Sequence, residues 1–234
     1  MRLYIVRHAD PDYPNNTITE HGHAEARALA DRLETECITH LHTSPMNRAR
    51  ETARYSEERL GMSATVEEWA PELKIPRIPQ PSAEPICAFC IPGHTVRENL
   101  PLPHQNDWHE RAPLDDPGIL AGVERVGAAS DAFLAGYGYE RDGGIYRVKQ
   151  PNKHRIAVVC HGGLGRTWLA HLLAIPVSLA WCGLWLAPSS VTIILFEERA
   201  PGTAVPKCLC MSDTSHLYKA GLPIQPRGLM ANRE

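Results

Sequence analysis

The stretch Leu3-Tyr4-Ile5-Val6-Arg7-His8-Ala9-Asp10 decides how this chain folds. Four apolar residues are followed by ionisable ones, which is the pattern of a buried parallel strand with polar groups at its carboxyl end. The stretch Ile156-Ala157-Val158-Val159-Cys160-His161-Gly162-Gly163 repeats this pattern late in the chain. Open α/β sheets bind ligands at that edge, so the sequence predicts a site built from two distant segments.

Composition limits the class of protein. The 234 residues, 43% of them hydrophobic, suffice for one substantial core, and we expect a single domain over residues 1–234. The formal charge of −3, from 24 basic and 27 acidic residues, argues against a nucleic-acid partner and leaves only local anion binding. No apolar run is long enough to span a membrane, and the N-terminal residues are charged too early for a secretory signal, so we expect a cytoplasmic protein.

The seven cysteines include two closely spaced pairs, Cys87-x-x-Cys90 and Cys208-x-Cys210. Such pairs occur in zinc sites, but a structural zinc ion needs four ligands at recognisable spacing. We therefore expect free thiols and no metal.

Strand-like and helix-like segments alternate along the chain. This alternation predicts an α/β fold with three layers: a doubly wound, mostly parallel sheet with helices on both faces. Thr19 is expected to cap the first helix, Ser44 with Pro45 to start the second, and Asp116 with Pro117 the third. The tail after Tyr218 is expected to fray. The predicted strands lie near residues 3–6, 38–42, 156–160, 191–196 and 207–211, and the predicted helices near 20–33, 45–60, 117–135 and 164–174.

Residues 73–115 interrupt this alternation. Eight prolines in the segment forbid a continuous helix or a central strand. Apolar residues such as Ile86, Phe89 and Trp108 give the segment material to pack, so we expect a Pro-rich cap inserted over the site rather than a disordered excursion.

Arg7, His8, Arg48 and His161 together describe a phosphate pocket. Arg48 falls in the first turn of the second predicted helix, and His161 precedes another helix start at Gly162, where free backbone N–H groups favour an anion. Planar guanidinium groups grip phosphoryl oxygens in pairs and stay charged at physiological pH.

These motifs resemble the histidine phosphatase superfamily, whose best-known branch is the cofactor-dependent phosphoglycerate mutases. Arg7-His8-Ala9 is similar to the family's Arg-His-Gly signature, and the segment 44–53 to its Ser-Pro-x-x-Arg-Ala-x-x-Thr-Ala motif. His161-Gly162-Gly163 matches its late His-Gly-Gly. Residues 18–22 and 213–217 also match recurring family segments, in the right order along the chain.

The resemblance implies a role for each residue. His8 is expected to attack phosphorus and become a transient phosphohistidine, while a backbone carbonyl holds its other ring nitrogen. Arg7, Arg48, His161 and Gly162 are expected to bind the phosphoryl group, with His161 also taking part in catalysis. No cofactor is implied. Asn15 and Asn16, in the loop after His8, are either phosphate ligands or turn residues, and this choice stays open.

A proton donor for the leaving oxygen is also required. Family members often carry a Trp-Leu-Arg-Glu-like segment, and Trp69-Ala70-Pro71-Glu72 stands at that place, so Glu72 is the expected acid. Glu67 and Glu68 are the alternative donors.

Ala9 departs from the family pattern, which has glycine at this position. Glycine permits a positive φ or a close backbone approach, so a methyl group there narrows the pocket or shifts His8. Because of this departure, a non-catalytic protein that binds a phosphorylated ligand is an alternative to an active enzyme.

We expect a metal-independent phosphatase that acts on a small phosphomonoester. A phosphoglycerate mutase is the alternative within the family, but it needs extra basic residues, and the segment 73–115 offers only Lys74, Arg77, Arg97 and Arg111. Trp168, Trp181 and Trp185 are expected in the core or at a contact between two copies, which leaves a homodimer open.

Overall fold

The computed structural model describes residues 1–80, 83–98 and 100–232. No helix in these parts of the chain is long and apolar enough to cross a membrane. The strands are β1 (Arg2–Arg7), β2 (Pro11–Asp12), β3 (Thr17–Ile18), β4 (His40–Thr43), β5 (Thr65–Val66), β6 (Arg77–Gln80), β7 (Ala83–Cys87), β8 (Tyr139–Asp142), β9 (Ile145–Val148), β10 (Arg155–Cys160), β11 (Val191–Ala200) and β12 (Thr203–Asp213). The helices are α1 (Glu20–Thr35), α2 (Asn47–Leu60), α3 (Gly93–Arg97), α4 (Pro117–Gly136), α5 (Gly162–Leu173), α6 (Val177–Gly183) and α7 (Ser215–Lys219), with 3₁₀ turns at Ala88–Cys90 and Trp108–Glu110.

Eight strands form one sheet in the order β5-β4-β10-β1-β11-β12-β9-β8. The four strands from β5 to β1 are parallel to their neighbours, and every pair from β1–β11 onwards is antiparallel. The predicted α/β fold is confirmed, and its sheet is mixed. Two of the four antiparallel pairs are hairpins, because short turns join β8 to β9 and β11 to β12, and a short turn connects only antiparallel neighbours.

Helices cover both faces of the sheet, as predicted. Alternate side chains of β1 point to opposite faces: Leu3 and Ile5 pack into one core cluster, and Tyr4 and Val6 pack into the other. The first cluster contains side chains of α4 and α5, and the second contains side chains of α1 and α2. A strand buried on both faces explains why β1 is a continuous apolar run.

The predicted helix starts differ in how well they agree with the structure. Thr19 caps α1 by accepting a hydrogen bond from Gly22 N, and Asp116 caps α4, so both predictions are confirmed. The prediction that Ser44 caps α2 is wrong, because that helix begins at Asn47. The Ser44 hydroxyl instead pairs with His161 at 2.7 Å, which links the two distant motifs directly.

The segment 73–115 contains the β6–β7 hairpin, α3 and both 3₁₀ turns. Ile78, Val96 and Trp108 are buried in the same core cluster as α4 and α5. The sequence does not predict this hairpin, because its prolines suggest irregular structure. Both strands lie in a separate two-stranded sheet, so both are edge strands, and proline is tolerated on an edge strand because its missing N–H group can face away from the partner strand. The function of the segment as a cap stays a prediction.

Candidate active site

His8 and His161 lie side by side at the carboxyl edge of the sheet. The strands β1 and β10 pair in parallel, with Arg7 opposite Cys160, so the next residue of each strand emerges at the same edge. The two imidazole rings are 5.2 Å apart between centroids. The tertiary structure therefore brings together the two motifs that the sequence separates by most of its length.

Backbone geometry orients the His8 ring. Its Nδ1 lies 2.8 Å from the carbonyl oxygen of Ala9, which can only accept, so Nδ1 carries the hydrogen. This leaves a lone pair on Nε2, where Arg48 Nε donates a hydrogen bond of 3.2 Å. Burial and the charges of Arg7 and Arg48 hold the pKa of His8 well below its usual value. A neutral imidazole with its Nε2 lone pair facing the pocket is a competent nucleophile.

Ser44 orients the His161 ring. The Ser44 hydroxyl oxygen accepts from Met46 N at 3.2 Å, and its own hydrogen is free to donate to His161 Nε2 at 2.7 Å. In that arrangement His161 Nδ1 carries a hydrogen, and this buried atom has no partner among the described residues. Burial and the neighbouring His8 lower the pKa of His161, so the ring offers a neutral N–H donor.

Arg7 and Arg48 are both buried and held by backbone or amide oxygens. Arg7 Nη1 donates to Leu186 O at 2.5 Å and to Arg227 O at 3.1 Å, while its Nε has no partner in the described part of the chain. Arg48 Nη1 donates to Asn16 Oδ1 at 3.2 Å. Neither arginine forms an ion pair with a carboxylate of the described residues. Since burying a cation without a counter-ion is costly, the two guanidinium groups and His161 form a site suited to an anion.

Asn16 therefore contacts the candidate site through an arginine. Its side-chain oxygen orients Arg48, and its φ of 50° is a turn conformation. Asn15 donates to Asp12 instead, at 2.7 Å. Both asparagines are turn residues in this structure, and one of them also positions a cation.

The start of α5 supplies backbone N–H donors, and its two glycines let neighbouring side chains pack closely against it. A Cβ on Gly162 would lie 3.4 Å from Arg7 Nε, so Gly162 borders the same pocket. A Cβ on Gly163 would come within 2.7 Å of Glu72 Oε1 and 2.9 Å of the Phe89 ring. Glycine at 163 thus permits the segment containing Glu72 and Phe89 to pack against the helix start.

Glu72 is the acidic candidate that lies at this site. Its Oε1 accepts from Leu164 N at 2.8 Å and from Leu73 N at 3.0 Å. Among the described residues, its Oε2 accepts from Gly163 N alone, at 3.1 Å. The first backbone N–H groups of a helix have no partner within the helix, so the oxygens of the Glu72 side chain are held there by hydrogen bonds.

Glu67 and Glu68 are placed elsewhere. Glu67 bonds to His42 Nδ1 at 2.7 Å and accepts from Trp69 Nε1 at 2.8 Å, so both of its oxygens are used in a structural network. Glu68 is exposed. Of the three carboxylates considered from the sequence, Glu72 alone contacts the start of α5.

The Ala9 methyl group points away from the phosphate pocket. Ala9 is fully buried in a small cluster with Ile18 and Ala26, and Tyr55 packs against it. It is not among the residues with positive φ. Alanine is therefore accommodated here without backbone strain, and its carbonyl still holds His8 Nδ1.

The sequence did not reveal Thr52 and Arg227 as parts of the site. The Thr52 hydroxyl accepts from Ala9 N at 3.0 Å and donates to Arg48 O at 2.8 Å, which ties the loop after His8 to α2. Arg227 Nε donates to Asp10 Oδ1 at 2.6 Å, and its carbonyl accepts from Arg7. The tail expected to fray is thus held at the site, and no local sequence signal connects residues so far apart.

Comparison with known proteins agrees with this geometry. The model of the histidine phosphatase superfamily, branch 1, matches residues 3–80 and 94–205. A probable phosphoglycerate mutase, GpmB, from Photorhabdus laumondii is 34% identical over 62 residues. That match covers 23% of this chain and only 29% of the relative.

Solved structures show the same fold at low sequence identity. A phosphoserine phosphatase from Entamoeba histolytica, crystallised with phosphoserine, has a TM-score of 0.61 at 17% identity, over 92% of this chain and 98% of that one. A mycobacterial glucosyl-3-phosphoglycerate phosphatase has a TM-score of 0.59 at 20% identity, over 90% and 98% of the two chains. Since the family model spans most of the chain and its motifs meet at one edge of the sheet, this protein belongs to the histidine phosphatase superfamily, branch 1.

Proposed function

We propose that this protein is a metal-independent phosphatase that hydrolyses a small phosphomonoester through a phosphohistidine on His8. The observation that carries the proposal is the arrangement around His8 Nε2. This atom accepts a hydrogen bond from Arg48, and beside it lie His161 Nδ1 and Arg7 Nε, which have no partner among the described residues. A neutral nucleophile surrounded by buried cations and an N–H donor suits a phosphate group better than any other common ligand.

In the first step, His8 Nε2 attacks phosphorus in line with the leaving oxygen. The Nε2–P bond forms as the P–O bond breaks, and Nδ1–H bonded to the Ala9 carbonyl shares the positive charge that develops on the ring. Arg48 Nε, released from Nε2, donates to a phosphoryl oxygen together with Arg7 and His161. These donors offset the charge of the transition state, which is the main contribution a protein makes to phosphoryl transfer.

Glu72 donates the proton that the leaving oxygen needs. We assign the transfer to Oε2, because this oxygen has a single hydrogen bond of 3.1 Å whereas Oε1 has two. In the second step the same carboxylate takes a proton from water, whose oxygen attacks phosphorus and releases phosphate and neutral His8. General acid–base catalysis of this kind contributes about 10²–10⁴ in rate.

Hydrolysis is favoured over the mutase alternative by the charges near the site. A mutase must bind a second anionic group of its substrate. Arg77 donates to Pro85 O, and Arg111 pairs with Asp107 and Pro101 O, so two of the four basic residues in the segment 73–115 are already engaged. The conformation of Ala9 favours an active enzyme over a non-catalytic binding protein.

We infer the substrate class from the substrates named for structurally similar phosphatases, which are small molecules. Structurally similar proteins include a phosphoserine phosphatase and a glucosyl-3-phosphoglycerate phosphatase, both of which act on small phosphoesters. We propose a small phosphomonoester here, with the segment 73–115 acting as the cap. We also propose a cytoplasmic location, which the seven free cysteines support.

The test is hydrolysis of p-nitrophenyl phosphate with and without a chelator. The wild type is expected to release phosphate equally well in both, and His8→Ala to lose activity by about 10³-fold or more. His94→Ala removes an exposed histidine outside the site and serves as the matched control. A rapid alkaline quench followed by mass spectrometry should find phosphate on His8.

Three outcomes would each contradict this proposal. Full activity in a folded His8→Ala variant contradicts the mechanism. Faster interconversion of phosphoglycerates than their hydrolysis identifies a mutase, and binding of inorganic phosphate without turnover of any phosphoester in a broad panel identifies a binding protein.

A further inference from the structure

The segment Pro226-Arg227-Gly228-Leu229 forms a tight turn beside the phosphate pocket. Leu229 N donates to Pro226 O at 3.1 Å, which closes a turn of four residues. Gly228 is the third of these residues, and its φ of 90° is a conformation that glycine adopts without strain. The carbonyl of the second residue, Arg227, makes no bond within such a turn, so it is available to donors outside the turn.

Arg227 is bound to the rest of the molecule through both its backbone and its side chain. Its carbonyl oxygen accepts from Arg7 Nη1 and from Trp185 Nε1, each at 3.1 Å. Its guanidinium donates twice to Asp10, from Nε to Oδ1 at 2.6 Å and from Nη2 to Oδ2 at 3.2 Å. The Asp10 side chain is only 4% exposed. An ion pair with two hydrogen bonds to a buried carboxylate fixes the turn more firmly than a surface ion pair does.

The turn helps to determine which side of Arg7 faces the start of α5. A guanidinium Nη1 carries two hydrogens, and Arg7 donates them to Leu186 O and to Arg227 O. The Nε atom of Arg7 has no partner among the described residues. It lies at the start of α5, where a Cβ on Gly162 would be 3.4 Å from it. Since the guanidinium is planar, two carbonyls on Nη1 fix the direction in which Nε can donate.

We propose that Arg227 is a positioning residue for Arg7. Its ion pair with Asp10 holds the turn in place, and its carbonyl orients the Arg7 guanidinium to bind the phosphoryl group. The inference rests on the proposed function, in which Arg7 binds that group. Docking of the turn and binding of phosphate then favour each other, because both use the same orientation of Arg7. By thermodynamic linkage, the turn raises the affinity for phosphate by the same factor by which phosphate stabilises the docked turn.

Titration with inorganic phosphate, followed by phosphorus NMR, measures the effect of the turn on binding. In Arg227→Ala the Kd for phosphate is expected to rise about tenfold, because the turn is no longer held and Arg7 loses the bond that orients it. Arg227→Lys keeps a cation opposite Asp10 and should bind phosphate within about threefold of the wild type. Arg199→Ala removes an exposed arginine that pairs with Glu197, and this matched control should leave the Kd unchanged.

Two further variants separate positioning from a general effect on the fold. Gly228→Val places a β-branched residue at a positive φ, which moves the Arg227 carbonyl while both side chains of the ion pair remain, and it should weaken phosphate binding about as much as Arg227→Ala. In an Arg7→Ala background, Arg227→Ala should change the Kd by less than about twofold, because Arg227 acts through Arg7. Circular dichroism checks that each variant is folded.

Trypsin measures docking of the turn without any phosphatase activity. The protease must take the Arg227 side chain into its own pocket, so cleavage between Arg227 and Gly228 requires release of that side chain from Asp10. Intact mass spectrometry follows the product that ends at Arg227. Saturating phosphate is expected to slow its formation about tenfold, compared with sodium chloride at the same ionic strength, which is the factor that linkage requires.

Three results would each overturn the inference: an unchanged Kd for phosphate in folded Arg227→Ala, an equal loss of affinity in the wild-type and Arg7→Ala backgrounds, and cleavage that phosphate does not slow. Failure of the proposed function gives different results. Phosphate binding without turnover of any phosphoester contradicts hydrolysis and leaves the role of Arg227 supported. A wild type that binds no phosphate contradicts the phosphate site and this inference together.

Discussion

At the scale of single residues, the proposed chemistry depends on which atoms are already hydrogen-bonded. His8 presents Nε2 because the neighbouring carbonyl holds Nδ1, and His161 presents Nδ1 because Ser44 holds Nε2. The two histidines are thus fixed in opposite orientations, one as a lone-pair donor and the other as an N–H donor.

Glu72→Gln tests the assignment of the proton donor. The variant is expected to lower kcat by about 10²-fold or more for an alkyl phosphate, since its poor leaving group needs a proton. The loss should be smaller for p-nitrophenyl phosphate, whose leaving group departs as an anion. Glu68→Gln, an exposed neighbour, is the control. Equal losses for the two substrates would contradict the role of Glu72 as an acid.

Ala9→Gly tests whether the departure from the family signature limits activity. The methyl group packs against Ile18 and Ala26 and not into the pocket, so kcat should change by less than about threefold. Loss of a buried methyl and added backbone freedom should lower the free energy of unfolding by about 1–2 kcal/mol. Steady-state kinetics and urea denaturation measure the two effects, and a tenfold rise in kcat would show that the methyl does restrict the site.

At the scale of elements, polar side chains near helix starts differ in their hydrogen-bond partners. Thr19 both caps α1 and donates to Asp10 Oδ2 at 2.8 Å, so the same hydroxyl fixes the helix and the loop after His8. Ser44 resembles such a cap in the sequence but is used by His161. Local patterns therefore located the four long helices α1, α2, α4 and α5 but not the short helices α3, α6 and α7. The partner of each hydroxyl depended on what the fold placed opposite it.

Thr19→Ala tests the contribution of that cap. We expect a loss of about 1 kcal/mol in the free energy of unfolding, because Gly22 N and Asp10 Oδ2 both lose a partner. Thr35→Ala, at the exposed end of the same helix, should change stability by less than about 0.5 kcal/mol. Urea denaturation followed by circular dichroism compares the two, and equal effects would contradict the capping role.

At the scale of the whole molecule, buried histidines couple stability to pH. His216 is buried between Ser189 and Arg32, and burial followed by the charge of Arg32 lowers its pKa to about 4. The unfolded chain takes up the proton near the ordinary value of 6.5, so the folded state loses stability as pH falls from about 6.5 towards 4.

His216→Gln should remove this dependence. At pH 5 the contribution of His216 amounts to about 2 kcal/mol, so the difference in unfolding free energy between pH 7 and pH 5 should shrink by about that amount. His94→Gln, an exposed control, should leave the difference unchanged. Urea denaturation at the two pH values measures it, and an unchanged difference in the His216 variant would refute the linkage.

Local sequence patterns were enough to predict the strands that are buried on both faces, the two strand-end histidines and the second motif, which contains Arg48. It could do so because these signals are local: an apolar run, a cap residue, a spacing along one helix. For the same reason it also identified the α/β class and the family.

The contacts between these parts of the chain are visible only in the folded molecule. Folding placed Glu72, and not Glu67, against backbone N–H groups of α5, packed the Ala9 methyl against Ile18 and Ala26, and placed Arg227 of the tail on Asp10. The physical reason is that hydrogen bonds and packing act over a few ångströms in space, between residues whose separation along the chain carries no signal of their contact.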